Sequence, residues 1–217
     1  MALSFPLLRP MGEAALLVVL GEEIDERTNS AAHHLARYLS GLPGVVECVP
    51  AYASLLIETD PLLIAPEELG PAVIQALQDL DTSEAPGRVI EIPTRYGGEY
   101  GPDLEFVAKH SGLTPEEVVR IHTSQPLRVF MLGFSPGFPY IGPLPQEIAA
   151  PRLATPRTHV PAGSVGIAGR QTGIYPGESP GGWRLIGQTG LQLFDPAKDP
   201  PVLLRPGDYV RFRAIEE

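Results

Sequence analysis

The fold is decided by three motifs: GFSPGFPY at residues 133–140, VPAGSVGIAGRQTGIYP at 160–176 and SPGGWRLIGQT at 179–189. Proline lies beside or near glycine throughout these motifs, and this pairing fixes one backbone angle and frees the next. Pro136-Gly137 fits the central pair of a type II turn. Short β-branched pieces separate the turns, so the sequence predicts a small β-barrel or sandwich.

The first motif follows an apolar run, residues 129–132, which predicts a buried strand. The motif begins with G-x-S-x-G, the nucleophile elbow of some serine hydrolases, in which a strand precedes the serine and a helix follows it. Here Pro136-Gly137 predicts a turn after Ser135, and Pro139 disfavours helical geometry at the residue before it. The sequence therefore argues against a serine hydrolase.

The order of the three motifs resembles the allophanate hydrolase subunit 1 family, which includes the B subunits of 5-oxoprolinases and the sporulation-kinase inhibitor KipI. The resemblance extends over nearly the whole chain and includes YGGEYGPDL at residues 96–104. It implies that the second half of the chain folds as a cyclophilin-like β-barrel. It does not imply prolyl isomerase activity.

Charge is unevenly distributed along the 217 residues, which are enough for one large or two small domains. Residues 1–85 contain 3 basic and 13 acidic side chains, whereas residues 86–217 contain 13 of each. This shift predicts a domain boundary near Ala85-Pro86-Gly87. An acidic chain without a basic stripe disfavours nucleic acid and anionic membrane as partners.

Cysteine content argues for a reducing, cytoplasmic setting, because Cys48 is the single cysteine and excludes an intrachain disulfide. The apolar run Ala14–Leu20 is too short to span a bilayer and is predicted to be a core strand. His33 and His34 are predicted to point about 100° apart on a helix, so they do not readily share a metal ion. No metal ligand set is predicted.

Residues 1–85 predict alternating strands and helices. The predicted strands are Leu3–Leu8, Ala14–Leu20, Val45–Val49 and Tyr52–Glu58, and the predicted helices are Ile24–Ser40 and Pro66–Leu80. Gly41 suits the end of the first helix, and proline followed by two glutamates suits the start of the second. This order predicts a ferredoxin-like α/β sandwich.

Residues 86–217 predict a barrel domain with two helices near its start. The second helix is predicted to begin after Thr114, which forms a capping box with Glu117, and to end near His122. The predicted strands include 89–93, 129–132, 185–187, 191–194, 202–204 and 209–212. The predicted fold class is therefore α+β, with a ferredoxin-like α/β sandwich (1–85) followed by a cyclophilin-like β-barrel (86–217).

Eight polar or aromatic side chains beside the predicted turns are candidates for substrate binding: Arg157, Ser164, Gln171, Tyr175, Trp183, Phe138, Glu99 and Asp103. Arg157 could form a two-point bond to a carboxylate, and Gln171 could both donate to and accept from a lactam or amide. Trp183 suits an aromatic wall, an interface anchor or ordinary core packing. Glu99 and Asp103 lie in glycine-rich loops, where charge is either functional or solvated. No catalytic residue is predicted.

The resemblance implies that the chain is the B subunit of an ATP-dependent 5-oxoprolinase, which hydrolyses 5-oxoproline to L-glutamate together with subunits A and C. The sequence has no G-x-x-x-x-G-K-[ST] phosphate loop and no complete catalytic triad. We therefore expect ATP to be used by the complex and the isolated chain to be inactive. The alternative is a KipI-like protein that binds and inhibits a sensor histidine kinase. A urea or allophanate pathway component is a weaker alternative.

Overall fold

The computed structural model describes residues 5–79 and 87–216 of the chain. Contacts divide the chain into two units, Met1–Ala85 and Pro86–Glu217. Of the predicted boundary, Ala85 and Pro86 lie outside the described residues. Within the described ranges, no helix combines the length and apolar character needed to cross a membrane.

The first unit contains a four-stranded antiparallel sheet with helices packed on one face. Its elements are β1 (Leu7–Pro10), β2 (Ala15–Val19), α1 (Glu26–Leu39), β3 (Val45–Pro50), β4 (Ser54–Thr59), a 3-10 helix (Pro66–Leu69) and α2 (Gly70–Gln78). The strand order in the sheet is β1-β2-β4-β3. Alternate residues of β2 and β4, such as Leu16 and Ile57, share one apolar core with Leu35 of α1 and Val73 of α2.

A local signal explains the start of α1. Asp25 caps α1 by accepting hydrogen bonds from the backbone N–H groups of Arg27 and Thr28. The predicted helix at residues 24–40 is confirmed within two residues at each end. The side chain of Asp25 thus marks the start of α1.

Two predicted elements of the first unit are corrected by the structure. The first strand was predicted at Leu3–Leu8, but it runs from Leu7 to Pro10, and residues 1–4 lie outside the described residues. An edge strand tolerates Pro10 because its missing N–H can face solvent. The second predicted helix is divided into a 3-10 turn and α2, with Gly70-Pro71 at the junction; Leu80 lies outside the described residues.

The second unit is built on a closed barrel of seven strands. Its elements are β5 (Val89–Tyr96), α3 (Leu104–Ser111), α4 (Pro115–His122), β6 (Leu127–Leu132), β7 (Pro139–Gly142), a 3-10 helix (Gln146–Ile148), β8 (Arg157–Val160), β9 (Ser164–Ala168), β10 (Gln171–Ile174), β11 (Ser179–Gly181), β12 (Arg184–Gln188) and β13 (Tyr209–Ala214). The barrel order is β10-β7-β6-β13-β5-β12-β9, and β8 pairs with β11 in a separate two-stranded sheet. The predicted barrel is therefore confirmed.

The last strand of the barrel joins two strands that are distant in sequence. β13 pairs in parallel with β5, from Tyr209 opposite Val89 onward, and antiparallel with β6. Arg88 forms an ion pair with the buried carboxylate of Asp208, so the starts of β5 and β13 are also joined by charge. The residues predicted as strands at 191–194 and 202–204 form only an isolated bridge between Phe194 and Val202. The prolines in this connection lack the N–H groups that a ladder needs.

Helix α4 begins at the predicted capping box and ends inside the barrel unit. The Thr114 hydroxyl accepts from the backbone N–H of Glu117, whose carboxylate accepts from the backbone N–H of Thr114. This confirms the predicted start of the helix. Its last residue, His122, is fully buried and packs with a ring-centroid distance of 4.3 Å from Phe212.

His122 is held in one neutral tautomer by its neighbours. The Thr172 hydroxyl donates to the carbonyl of Gly166, so it accepts from Nε2–H of His122 at 3.0 Å. Nδ1 then accepts from the hydroxyl of Tyr96 at 2.8 Å. Burial lowers the pKa of His122 to about 3 and raises the pKa of Tyr96. These two contacts satisfy both nitrogens of the neutral ring, which burial favours over the charged form.

Candidate ligand-binding site

Five aromatic side chains of the second unit surround a small cleft, which we call the aromatic cleft: Phe134, Phe138, Tyr140, Tyr175 and Trp183. Their rings meet edge to face, with centroid distances of 5.5 Å between Phe138 and Trp183 and 5.1 Å between Phe138 and Tyr175. The volume of the cleft is about 180 Å³, and Arg152, Leu153, Pro156, Gly181 and Gly182 complete its lining.

The first motif places two of these rings in different environments. The backbone N–H of Phe138 donates to the carbonyl of Ser135, and Gly137 has a φ of 79°, which agrees with the predicted type II turn. Phe138, which follows the turn, is buried, whereas Phe134, which precedes it and has a φ of 68°, is 62% exposed. β7 begins at Pro139 without an intervening helix, so the structure agrees with the rejection of a nucleophile elbow.

Glycine permits the rings to pack against the backbone. A Cβ atom added to Gly181 would lie 2.8 Å from ring atoms of Tyr175, and one added to Gly173 would lie 2.9 Å from the ring of Phe138. Real Cβ atoms do not approach other atoms so closely, because the contact is inside the van der Waals distance. Gly173 of the second motif and Gly181 of the third are thus required by the packing of the cleft rings.

Replacement of Gly181 by alanine is expected to displace the ring of Tyr175 and to destabilise the barrel unit by about 1–3 kcal/mol. Unfolding by guanidinium, followed through the fluorescence of the single tryptophan, Trp183, measures this loss. Gly177→Ala is the matched control, since nothing lies within 4 Å of its added Cβ. Equal stability of the two variants would contradict the assigned packing.

A buried carboxylate supports one wall of the aromatic cleft. Asp103 accepts from Arg157 at 2.9 Å and from the backbone N–H of Leu185 at 2.7 Å, and Arg184 lies 3.8 Å away. Arg157 also donates to the carbonyl of Trp183 at 3.5 Å. Arg157 and Asp103 are therefore bonded to each other and to the backbone that carries Trp183.

The predicted binding residues separate into two sets. Phe138, Tyr175 and Trp183 line the aromatic cleft, and Arg157 and Asp103 lie behind it. Three others lie outside its lining. Ser164 is buried at the start of β9, Gln171 is half-buried at the start of β10, and Glu99 is exposed in the loop after β5.

Three aromatic or charged residues that line the cleft are absent from the predicted set. Phe134 and Tyr140 belong to the first motif, which could have indicated them. Arg152 lies between motifs, where no turn or spacing signals a site, yet its guanidinium carbon is 5.8 Å from the centroid of the Trp183 ring. This geometry is a cation–π contact.

Opposing effects act on the pKa of the Tyr175 hydroxyl. Burial raises its pKa, while a backbone hydrogen bond from Trp183 and the charges of Arg152 and Arg157 act in the opposite direction. The net shift of the pKa is upward, so the phenol is protonated and able to donate at neutral pH. The cleft therefore combines apolar walls with a phenol donor and nearby cationic groups.

A larger groove of about 770 Å³ lies elsewhere on the barrel unit, lined in part by Arg95, Tyr100, Gln188 and Thr189. None of the eight predicted binding residues lines it. Among the described residues, no group of three or more histidine, cysteine or acidic side chains is placed to hold a metal ion.

Curated relatives match this chain over most of its length. The B subunit of 5-oxoprolinase from Bacillus subtilis (strain 168) is 46% identical over 220 residues, which cover 95% of this chain and 92% of that protein. The B subunit of 5-oxoprolinase from Escherichia coli O157:H7 is 47% identical over 206 residues, 93% of each chain.

Solved structures support the same relationship. A conserved uncharacterized protein from Pyrococcus horikoshii has 47% sequence identity and a TM-score of 0.59 over 97% of this chain and 98% of its own. A longer solved chain has a TM-score of 0.81 and 40% identity, and this chain spans 40% of its length. The sequence model described as "Carboxyltransferase domain, subdomain C and D" matches residues 6–204. On these matches, the chain belongs to the carboxyltransferase subdomain C and D family.

Proposed function

We propose that this protein is the B subunit of an ATP-dependent 5-oxoprolinase, which acts with subunits A and C in the cytoplasm to hydrolyse 5-oxoproline to L-glutamate. The observation that carries the proposal is the 44–47% identity to three bacterial proteins named as B subunits of 5-oxoprolinase, over 92–95% of their lengths. These relatives are named as enzyme subunits, so they do not favour the kinase-inhibitor alternative.

The site of this chain is consistent with a partial enzyme. The aromatic cleft offers apolar walls, a phenol and an arginine, which are groups that bind and orient a small ligand. The sequence supplies no phosphate loop, so ATP is used by the complex rather than held at such a loop in this chain.

We also infer that the two units are variants of known architectures. In the first unit, β4 lies between β2 and β3, which are joined through α1, as in a ferredoxin-like sandwich. The outer strand beside β2 is β1, which comes from the start of the chain rather than after α2. The closed barrel of the second unit is assigned to the cyclophilin-like type on the family resemblance.

Reconstitution tests the proposed function directly. Co-expression with subunits A and C is expected to give a complex that forms L-glutamate from 5-oxoproline only when ATP is present. Mixtures from which one component is omitted are the controls, and this chain alone is expected to show no turnover. Robust turnover by the isolated chain, or a complete complex that leaves 5-oxoproline unchanged, would contradict the proposal.

A further inference from the structure

An arginine at the aromatic cleft lacks an acidic partner. Arg157 and Arg184 lie 2.9 and 3.8 Å from the carboxylate of Asp103. Arg152, by contrast, has no carboxylate within ion-pair distance among the residues that the structure describes, and its guanidinium faces the ring of Trp183. Its positive charge is therefore available to an anion that enters the cleft.

The phenol of Tyr175 lines the same cleft and is close enough to Arg152 and Arg157 to be affected by both charges. Its oxygen already accepts a backbone hydrogen bond from Trp183. Within the described part of the chain, no acceptor is found for its O–H. An anion held by Arg152 can therefore also accept a hydrogen bond from Tyr175.

The walls and the size of the cleft restrict the ligand. The remaining lining is aromatic or apolar and includes Trp183, Phe134 and Pro156. A volume of about 180 Å³ is below the ~300–1,000 Å³ that is typical of drug-sized ligands. Such a space excludes a nucleotide and suits a single small ring that carries one anionic group.

We propose that the aromatic cleft binds a small cyclic carboxylate, whose carboxylate bonds to Arg152 and to the O–H of Tyr175 while its ring packs against Trp183. Under the proposed function, on which this identification rests, the ligand is 5-oxoproline, a five-membered lactam with one carboxylate. Arg152 is then the residue that recognises the substrate class. A planar guanidinium suits this role because it can bond both carboxylate oxygens.

Titration calorimetry, supported by Trp183 fluorescence, tests the binding of 5-oxoproline to the isolated chain and to the reconstituted complex. Cyclopentanecarboxylate is expected to bind, whereas pyrrolidinone, the lactam without the carboxylate, is expected to bind at least about tenfold more weakly. Arg152→Gln is expected to weaken carboxylate binding by about tenfold or more, and Arg152→Lys by less, since it keeps the charge but loses the fork. Arg211→Gln, an exposed arginine on β13, is the matched control and should bind like the wild type.

The outcomes separate this inference from the proposed function. A rise in KM for 5-oxoproline in the complex with Arg152→Gln, with little change in kcat, supports it. Unchanged binding and KM in this variant overturn it while leaving the proposed function intact. A complex that binds the carboxylate through Arg152 but does not hydrolyse 5-oxoproline would support the ligand assigned to the cleft. The same result would contradict the proposed function. Failure of Arg152→Gln to associate with subunits A and C, with ligand binding unchanged, assigns the cleft to a partner chain and overturns the inference.

Discussion

Replacement of Asp103 by alanine is expected to lower the free energy of unfolding of the barrel unit by about 3 kcal/mol or more. The carboxylate of Asp103 is 9% exposed and is the acidic partner of Arg157, which is 28% exposed. Its removal leaves a partly buried guanidinium without an anion and the backbone N–H of Leu185 without an acceptor. The loss therefore combines two unsatisfied groups rather than one broken ion pair.

Unfolding by guanidinium, followed by Trp183 fluorescence, measures the Asp103 effect. The matched control is Glu91→Ala, which breaks the Glu91–Arg213 pair, whose side chains are 60% and 57% exposed. Exposed pairs contribute less than about 1 kcal/mol, so this control should differ little from the wild type. Asp103→Asn keeps an acceptor for Leu185 and is expected to fall between the two. Similar losses for Asp103→Ala and Glu91→Ala would show that the buried carboxylate does not support the cleft.

Acid is expected to weaken the barrel unit through His122. The unfolded chain binds a proton at this histidine with a pKa of about 6.5, whereas burial holds its pKa in the folded chain at about 3. The unfolded state therefore binds more protons between these two pH values. Stability should be unaffected by His122 above about pH 6.5 and fall by about 1.4 kcal/mol per pH unit below it. At pH 5 the loss is about 2 kcal/mol.

Comparison of the wild type with His122→Gln isolates this contribution. Glutamine cannot titrate but can still donate and accept, so the variant should lose less stability between about pH 7.5 and pH 5 than the wild type. His110→Gln, an exposed histidine on α3, is the control and should keep the pH dependence of the wild type. Parallel pH profiles for the wild type and His122→Gln would refute the assigned role of the buried ring.

Local chemistry made part of the fold predictable. The capping box at Thr114 and the turn at Pro136-Gly137 each depend on residues within four positions of one another, and both are present. The parallel pairing of β13 with β5 joins residues about 120 positions apart, as Tyr209 and Val89 do. Nothing in the sequence of either strand specifies the strand with which it pairs. Hydrophobic periodicity therefore does not predict this pairing. Pro71 is a local signal too, because proline disfavours the continuation of a preceding helical turn, and α2 begins beside it at Gly70.

The structure brings together only some of the predicted site residues, for a related reason. Phe138, Tyr175 and Trp183 come from three motifs, and glycine-rich turns bring them together. Ser164 and Gln171 are next to the same turns, but strand register decides which way they face, and a single sequence does not give that register. Arg152 is in no motif. The role of all these residues in ligand binding stays a prediction.

The strand that seals the barrel lies beyond the residues that the family model matches. The family match ends at residue 204, whereas β13 spans Tyr209–Ala214. A fragment trimmed to the matched region would leave β5 and β6 each with an unpaired edge, and exposed edges of this kind promote aggregation. Recombinant fragments of this protein should therefore retain the tail through Ala214. An affinity tag placed there needs a linker long enough to leave the strand undisturbed.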